Sequence, residues 1–129
     1  MIQKIKHIGV AVQSIDKTME LWSRAFGAVE LKRAAFEMVG QTSALVKIGE
    51  TYIELMEPLV GAEHSTVRKF LESHGEGIHH LSLKSSDLAA DVANLQACGV
   101  KVLGAGQPVV FTHPKTSGGI VYEITEMED

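Results

Sequence analysis

Several residue types that mark particular protein classes are scarce in this chain. A single cysteine, Cys98, rules out an internal disulfide and suits a reducing compartment. Lysine and arginine number 12 against 16 acidic residues and form no basic run, which argues against a nucleic-acid partner. No stretch approaches the roughly 18 uninterrupted apolar residues of a membrane-spanning helix, and the N-terminal residues lack the pattern of a signal peptide. We therefore expect a cytoplasmic protein with neither a nucleic-acid nor a membrane partner.

The remaining composition is that of an ordinary globular domain. The 129 residues are 45% hydrophobic, which is enough for a sizeable core, and they carry a formal charge of −4. This length fits a single domain covering residues 1–129. Local context adds further expectations: Cys98 packs inertly near a helix end, Glu57 is a solvated charge at a strand end, and the acidic tail at 126–129 is frayed.

The most informative feature is a pattern that occurs twice. Each copy opens with a strand-like run that carries a histidine, His7 in the first copy and His80 in the second. Each copy continues with a helix-like stretch that stops at a glycine, and it closes with a strand-like run that carries a glutamate, Glu54 or Glu123. The spacing from histidine to glutamate is similar in both copies. Four potential metal ligands therefore occupy matching places in a duplicated sequence.

Hydrophobic periodicity and turn residues predict the order strand, helix, strand, strand, strand in each copy. Module one covers about 3–58, a connector with a short helix covers about 59–76, and module two covers about 77–125. The first helix is predicted to end before Gly27, with a core-facing side that consists of Met19, Trp22, Ala25 and Phe26. The predicted strands cover about 4–12, 28–37, 42–48, 51–57, 78–84, 100–103, 108–113 and 119–125, and the two later helices cover 66–73 and 86–98.

This order predicts an α+β fold built from two βαβββ modules. One module alone cannot bury both faces of its sheet, but two modules side by side can form one curved mixed sheet with the helices outside. Related by a pseudo-twofold axis, the modules would enclose a cleft in which the matching residues meet. Because side chains alternate between the faces of a strand, each glutamate can project into the cleft while its apolar neighbours face the helices.

Burial gives the matching residues a chemical meaning. A carboxylate between apolar residues is costly unless it is paired or coordinated, so Glu54 and Glu123 each need a partner. A buried salt bridge would satisfy one of them, and a strand histidine bonded to backbone is common by itself. Two imidazoles and two carboxylates at matching places instead favour one divalent ion such as Co, Zn, Ni or Mn. His79 competes with His80, but it points to the opposite face of the strand, and we expect it to line the wall of the site.

Five segments carry a family resemblance. They read His-Ile-Gly-Val-Ala-Val at 7–12, Ile-Glu-Leu-Met-Glu-Pro-Leu at 53–59, Lys-Phe-Leu at 69–71, Gly-Glu-Gly-Ile-His-His-Leu at 75–81, and His-Pro-Lys-Thr-Ser-Gly-Gly-Ile-Val-Tyr-Glu-Ile at 113–124. In this order they resemble the vicinal oxygen chelate superfamily, which includes glyoxalases and bleomycin resistance proteins, and within it the methylmalonyl-CoA epimerases most. The likeness spans nearly the whole chain, and its last two segments are the most specific.

The resemblance implies an isomerase that depends on one divalent metal ion. Its expected reaction is epimerisation of a 2-substituted malonyl-CoA such as methylmalonyl-CoA, by removal of the α-proton to give a metal-stabilised enolate. The family's metal ligands fall on His7, Glu54, His80 and Glu123. Glu123 and Glu54 are also the catalytic candidates for proton transfer, and the candidate substrate-binding residues are Lys115, His113 and His79. The partner is then an acyl-CoA thioester, and the resemblance also implies a homodimer.

Two departures from the family keep alternatives open. The stretch 40–43 has no acid where some epimerases carry a carboxylate proposed as a second base, and 104–108 replaces a longer glycine-rich loop. The second base is therefore open among Glu54, a water molecule and Glu37. Return of the proton to a neighbouring atom would instead give a glyoxalase-type lyase or isomerase that acts on a thiol adduct, like a lactoylglutathione lyase. A non-catalytic drug-binding protein of the same fold is a further alternative, although it would not need four metal ligands.

Overall fold

The computed structural model describes residues 1–129 as eight strands and three helices. The predicted order of strand, helix and three strands occurs twice, with one helix between the two copies. The elements are β1 (Ile2–Ala11), α1 (Ile15–Phe26), β2 (Val29–Phe36), β3 (Gln41–Ile48), β4 (Thr51–Pro58), α2 (Thr66–His74), β5 (Gly77–Ser85), α3 (Leu88–Ala97), β6 (Val102–Leu103), β7 (Val109–Thr112) and β8 (Val121–Thr125).

The strands form a mixed sheet in the order β2-β3-β4-β1-β5-β8-β7-β6. Outward from the middle of the sheet, one half runs β1, β4, β3, β2 and the other runs β5, β8, β7, β6. Each half therefore contains the first, fourth, third and second strand of its copy, in that order. The duplication in the sequence is thus repeated in the strand order. Strands β5 and β8 are parallel, whereas β2–β3, β3–β4, β6–β7 and β7–β8 are antiparallel. The predicted α+β class with a mixed sheet is confirmed.

The chain divides into two compact units. Unit one contains Met1–Ile8 and His80–Asp129, and unit two contains Gly9–His79. Their boundaries fall inside β1 and β5, so each of these strands contributes residues to both units. The module boundaries inferred from the sequence stay a prediction.

The core of unit one lies beneath α3. Asp87 precedes this helix as its N-cap, and its side chain accepts a hydrogen bond from the backbone N–H of Ala90 at 3.1 Å. Leu88 in its first turn packs with Val110 of β7 and Ile124 of β8. Partly buried hydrophobic residues complete the cluster: Leu83, Val92, Leu95, Val102 and Tyr122.

The core of unit two lies beneath α2, the helix predicted as part of the connector. Ser65 caps this helix, and its hydroxyl accepts a hydrogen bond from a backbone N–H of the first turn at 3.2 Å. Val67 and Leu71 of α2 pack with Ala11 of β1 and Met56 of β4. The connector therefore does more than join the copies, because it supplies the helix that covers this core.

Helix α1 is buried less than its sequence suggests. Ser14 caps it with a 3.1 Å hydrogen bond from Lys17 N, and Gly27 ends it with a φ of 68°. Trp22 is only half-buried, however, and Phe26 is 57% exposed. The prediction that this face of α1 turns toward the core is wrong for the last turn of the helix.

Strand β2 is the exposed edge of unit two. Leu31 and Phe36 on this strand are 50% and 51% exposed. Its pairing with β3 is interrupted by a register shift between Glu30 and Lys32. A shift of this kind bends an edge strand and increases its local twist.

The acidic tail at 126–129 is held by side-chain contacts, so the expectation that it is frayed is wrong. Glu126 accepts a hydrogen bond from Leu88 N at 2.8 Å, and the backbone carbonyl of Met127 accepts one from Lys6 Nζ at 2.9 Å. Cys98 is exposed, contrary to the packed position predicted for it. None of the three helices has the length and apolar character that a membrane crossing requires.

Candidate metal centre

Two buried imidazoles meet edge to face in unit one. His7 lies on β1 and His80 on β5, and both side chains are 5% exposed. Their Nε2 atoms are 3.3 Å apart, and the rings are inclined by 76°. The two rings approach each other through their Nε2 nitrogens, which carry either a proton or a lone pair, and not through their carbon atoms. Two Nε2 atoms at this distance can share a proton directly, or both can face a common acceptor or a cation.

Glu123 on β8 supplies the acceptor. Its Oε2 atom lies 3.1 Å from His80 Nε2 and 3.5 Å from His7 Nε2. The parallel register of β5 and β8 explains the approach, because His80 pairs with Val121 and Ser82 pairs with Glu123. The side chains alternate along β8 as predicted. Tyr122 and Ile124 pack in the hydrophobic cluster beneath α3, so the carboxylate of Glu123 lies on the opposite face of the strand.

The two imidazoles keep this carboxylate ionised. Burial raises the pKa of the Glu123 carboxyl, but hydrogen bonds from His7 and His80, together with their charges, outweigh burial and lower the pKa far below its usual range. A carboxylate that resists protonation is a good ligand for a cation. By the same argument it is a weak acceptor for a substrate proton in this arrangement.

Glu54, the fourth residue of the predicted set, lies on β4 of unit two. One ligand atom from each of His7, Glu54, His80 and Glu123 lies within 4.8 Å of the others, so the four form a group that could hold a metal ion. The sequence-based set is therefore the set that the structure brings together. His80 belongs to the group and His79 does not.

The spacing of the donors fits a small divalent cation. With metal–ligand bonds of about 2.1 Å, two ligand atoms lie about 3.0 Å apart at adjacent octahedral positions and about 3.4 Å apart in a tetrahedron. The three contacts among His7, His80 and Glu123 measure 3.1, 3.3 and 3.5 Å. Two nitrogen and two oxygen donors suit a borderline metal such as zinc, cobalt, nickel or manganese.

Ser82 is a second polar group beside the carboxylate. It pairs with Glu123 across β5 and β8, it is fully buried, and its Oγ has no hydrogen-bond partner. A buried hydroxyl without a partner is uncommon and costs stability. Its position next to Glu123 is consistent with a polar interior prepared for a ligand.

The remaining nitrogen of His7 contacts a residue that the sequence did not indicate. Both carboxylate oxygens of Asp129 lie near His7 Nδ1, at 2.9 and 2.8 Å, and Lys6 Nζ is 3.1 Å from Asp129 Oδ1. Burial raises the pKa of Asp129, while the hydrogen bonds and charges of His7 and Lys6 lower it, and the balance is a lowered pKa. An acidic tail gives no spacing signal, so sequence reasoning had no basis for assigning Asp129 to this site.

A sequence comparison identifies the family. The sequence model of the Glyoxalase/Bleomycin resistance protein/Dioxygenase superfamily matches residues 6–116, which is most of the chain. The chain belongs to this superfamily. The family resemblance predicted from the five sequence segments is therefore confirmed.

Within the superfamily, the chain is similar to methylmalonyl-CoA epimerases. The mitochondrial methylmalonyl-CoA epimerase of Dictyostelium discoideum is 32% identical over 97% of this chain and 79% of the relative. The ethylmalonyl-CoA/methylmalonyl-CoA epimerase of Cereibacter sphaeroides is 29% identical over 98% of this chain and 100% of the relative. A variant of the Streptomyces coelicolor methylmalonyl-CoA epimerase, solved with 2-nitronate-propionyl-CoA, superposes with a TM-score of 0.85 at 32% identity, over 96% of this chain and 94% of that chain.

The residues predicted to bind substrate by resemblance to this superfamily lie outside the group of four. The His79 ring contacts the Phe70 ring at 4.9 Å in unit two. His113 and Lys115 lie in the turn between β7 and β8, where Lys115 is exposed and its backbone N–H donates to His113 Nδ1 at 3.1 Å. Nothing in these contacts tests their predicted roles.

Glu57 has a role that the sequence analysis missed. Its Oε1 accepts a hydrogen bond from the backbone N–H of Ile15, the first residue of α1, at 2.9 Å. The expectation of a solvated strand-end charge is therefore wrong. Glu126 makes the same contact with Leu88 N, the first residue of α3. The sequence held a signal for both, because each follows a glutamate of the group at the same interval.

Proposed function

We propose that the chain is an epimerase of a 2-substituted malonyl-CoA thioester, with methylmalonyl-CoA as the first candidate substrate. We further propose that it depends on one divalent metal ion held by His7, Glu54, His80 and Glu123. Relatives of about 30% identity over nearly the whole chain are methylmalonyl-CoA epimerases, which supports an isomerase. The observation that carries the proposal is the spacing of the His7, His80 and Glu123 donors, which matches that of ligands around one cation.

The reaction requires the proton to leave a carbon next to a carbonyl group. A divalent cation, when bound, supplies Lewis-acid stabilisation of the negative charge that develops on the substrate oxygens. Glu123, whose carboxylate lies 3.5 Å from His7 Nε2 and 3.1 Å from His80 Nε2, is assigned chiefly the role of a ligand. Glu54 is the other carboxylate of the group, and we assign to it the first step of proton transfer. Epimerisation then needs a group on the opposite face that donates a proton to the α-carbon, and a water molecule and Glu37 remain the candidates.

Substrate recognition is assigned to the turn between β7 and β8 and to His79 on β5. Lys115 is exposed in that turn, so its ammonium group can reach a phosphate or carboxylate of an acyl-CoA. His113 lies in the same turn, and His79 lies next to the ligand His80. The assignments of Lys115 and His113 and the homodimer rest on family resemblance. The assignment of His79 rests on its place beside His80, and a cytoplasmic location rests on the single cysteine.

The deciding experiment is an isotope exchange assay. Metal-loaded protein is incubated with one epimer of methylmalonyl-CoA in deuterated water, and the α-position is followed by NMR and mass spectrometry. We expect deuterium at the α-carbon together with racemisation. Heat-inactivated protein and protein treated with a chelator are the controls. Absence of exchange with methylmalonyl-CoA and ethylmalonyl-CoA would reject the epimerase assignment.

The metal centre is tested separately by elemental analysis of purified variants. We expect His7→Ala and Glu123→Ala to lose more than 90% of the bound metal, because the loss of a direct ligand exceeds the roughly 10–100-fold effect of an outer-shell change. Glu50→Ala, which removes an exposed acid from the turn after β3, is the matched control and should keep the wild-type metal content. Full metal retention in both ligand variants would contradict the centre.

A glyoxalase-type isomerase is the second candidate, and one observation favours it. Strand β3 carries no carboxylate, and the stretch 40–43, where some epimerases carry an acid, ends in Ser43, which is buried and accepts a hydrogen bond from Gln41 Nε2 at 2.9 Å. A chain without that acid has lost one route for returning a proton to the opposite face. Turnover of a methylglyoxal–glutathione hemithioacetal without exchange of methylmalonyl-CoA would support this alternative.

A further inference from the structure

We propose that Asp129 is a positioning residue for the metal centre: it holds His7 in the tautomer and orientation that aim Nε2 at the ion. This inference rests on the proposed metal centre and extends it to a residue of the tail.

The geometry of this contact is close and two-sided. Asp129 Oδ1 and Oδ2 lie 2.9 and 2.8 Å from His7 Nδ1. On the other side of the same ring, His7 Nε2 lies 3.3 Å from His80 Nε2 and 3.5 Å from Glu123 Oε2. The side chain of His7 is 5% exposed and that of Asp129 is 22% exposed, so water competes little for the bond. One imidazole thus connects the tail to the centre.

The tail is anchored well enough to orient a ring. Lys6 Nζ, on a side chain that is 5% exposed, contacts Asp129 Oδ1 at 3.1 Å and donates to the carbonyl oxygen of Met127 at 2.9 Å. Glu128 pairs with Lys4 at 3.4 Å and with Lys84 at 3.3 Å. Lys4 and Lys6 lie on β1, the strand that carries His7. The tail is therefore fixed to the same strand whose histidine it orients.

The chemical consequence follows from the two nitrogens of imidazole. When Nδ1–H donates to a carboxylate, the proton is fixed on Nδ1 and the lone pair is left on Nε2, which is the form that binds a cation. The carboxylate also increases the electron density of the ring and limits its rotation. Asp129 would therefore strengthen metal binding without touching the metal.

A purely structural role makes a different prediction. Asp129 also pairs with the buried ammonium of Lys6, so its removal could weaken the attachment of the tail without changing the centre. In that case the melting temperature of the metal-free protein would fall while its metal affinity stayed constant. Metal affinity is therefore the readout that separates the two roles.

The test compares Asp129→Ala and Asp129→Asn with Glu128→Gln in the full chain. Zinc affinity is measured by competition with a chromophoric chelator. We expect Asp129→Ala to bind zinc roughly 10–100-fold more weakly than wild type, the range found for outer-shell partners of ligating histidines. Asp129→Asn, which keeps an acceptor and loses the charge, should show a smaller loss in the same direction. Glu128→Gln, which alters the neighbouring carboxylate that contacts only lysines, should bind like wild type.

Two further measurements show whether Asp129 acts through His7. In the zinc-loaded wild type we expect a slowly exchanging His7 Nδ1–H signal by ¹⁵N-edited NMR, and its loss in Asp129→Ala. In a His7→Ala background, Asp129→Ala should cause no further loss of zinc affinity, because the ring that transmits the effect is gone. Equal losses in both backgrounds would overturn the inference.

The outcomes for this inference and for the metal centre are distinct. If wild-type protein binds zinc and Asp129→Ala binds it within twofold of wild type, the positioning role is rejected and the centre stands. If Asp129→Ala does not fold, Asp129→Asn decides, and wild-type affinity in that variant rejects the role. If wild-type protein binds none of the four candidate metals, both the centre and this inference are overturned.

Discussion

Glu57 in unit two and Glu126 in unit one occupy matching places in the duplicated sequence. Each accepts a hydrogen bond from the first backbone N–H of a helix, α1 in one case and α3 in the other, at 2.9 and 2.8 Å. Each helix is also capped by the residue that precedes it, Ser14 or Asp87. The duplication therefore extends from the proposed ligands to the way in which the helices are attached.

The helices themselves behave differently. In unit one, α3 covers the main hydrophobic cluster with Leu88. In unit two the cluster is covered by Leu71 and Val67 of α2, while Phe26 at the end of α1 is 57% exposed. The two halves thus share their hydrogen bonds at helix ends but not the packing of their cores. Local polar contacts are determined over a few residues, whereas a core depends on every element that reaches it.

The largest expected effect is the difference in stability cost between substitutions in the two helices of unit two, α2 and α1. Leu71→Ala should lower the free energy of unfolding by about 2–5 kcal/mol, because it removes a buried side chain from the cluster. Phe26→Ala should change it by no more than about 0.5 kcal/mol, because the ring is largely in solvent. Urea denaturation of metal-free protein, followed by circular dichroism, measures both. A larger cost for Phe26→Ala than for Leu71→Ala would mean that α1, rather than α2, covers this core.

A smaller effect tests the shared capping device. Glu57→Ala and Glu126→Ala should each destabilise the protein by about 1–2 kcal/mol, since each removes a charged acceptor from a helix N-terminus. Glu63→Ala, an exposed acid outside the helices, is the control and should be nearly neutral. The same urea experiment applies. If one of the two capping variants proved neutral while the other was costly, the functional equivalence of these glutamates would be lost.

The smallest expected effect is the dependence of the unfolding free energy on acid pH, which we attribute to Glu123 in unit one. The pKa of Glu123 is lowered from an ordinary value of 4.5 in the folded protein, so its ionised form stabilises the fold above that pH. The stabilisation is lost as the pH falls below about 4.5 toward the lower folded pKa. In metal-free Glu123→Gln, the decrease in unfolding free energy between pH 5 and pH 3 should therefore be shallower than in wild type. Parallel curves for the two proteins would contradict the lowered pKa.

The order of the elements and the grouping of His7, Glu54, His80 and Glu123 could be predicted from the sequence, because both leave periodic signals. His7 and His80 are distinguished by their matching partners, and the alternation of β8 predicts the face on which Glu123 lies. The tail contact of Asp129 has no such signal, since it joins residues at opposite ends of the chain. The exposure of Phe26 was also beyond reach, because an amphipathic pattern predicts which side of a helix is apolar and not how much of it another element covers.

Strand β2 is an exposed edge strand that could pair with other chains, and residues of the strand itself limit this risk. A sheet edge with half-exposed Leu31 and Phe36 is a template for pairing with other chains, the usual start of aggregation. The register shift after Glu30 bends this edge, and the positive charge of Lys32 discourages a further strand from docking. Variants that straighten this edge or remove the Lys32 charge should therefore aggregate more readily than wild type on storage.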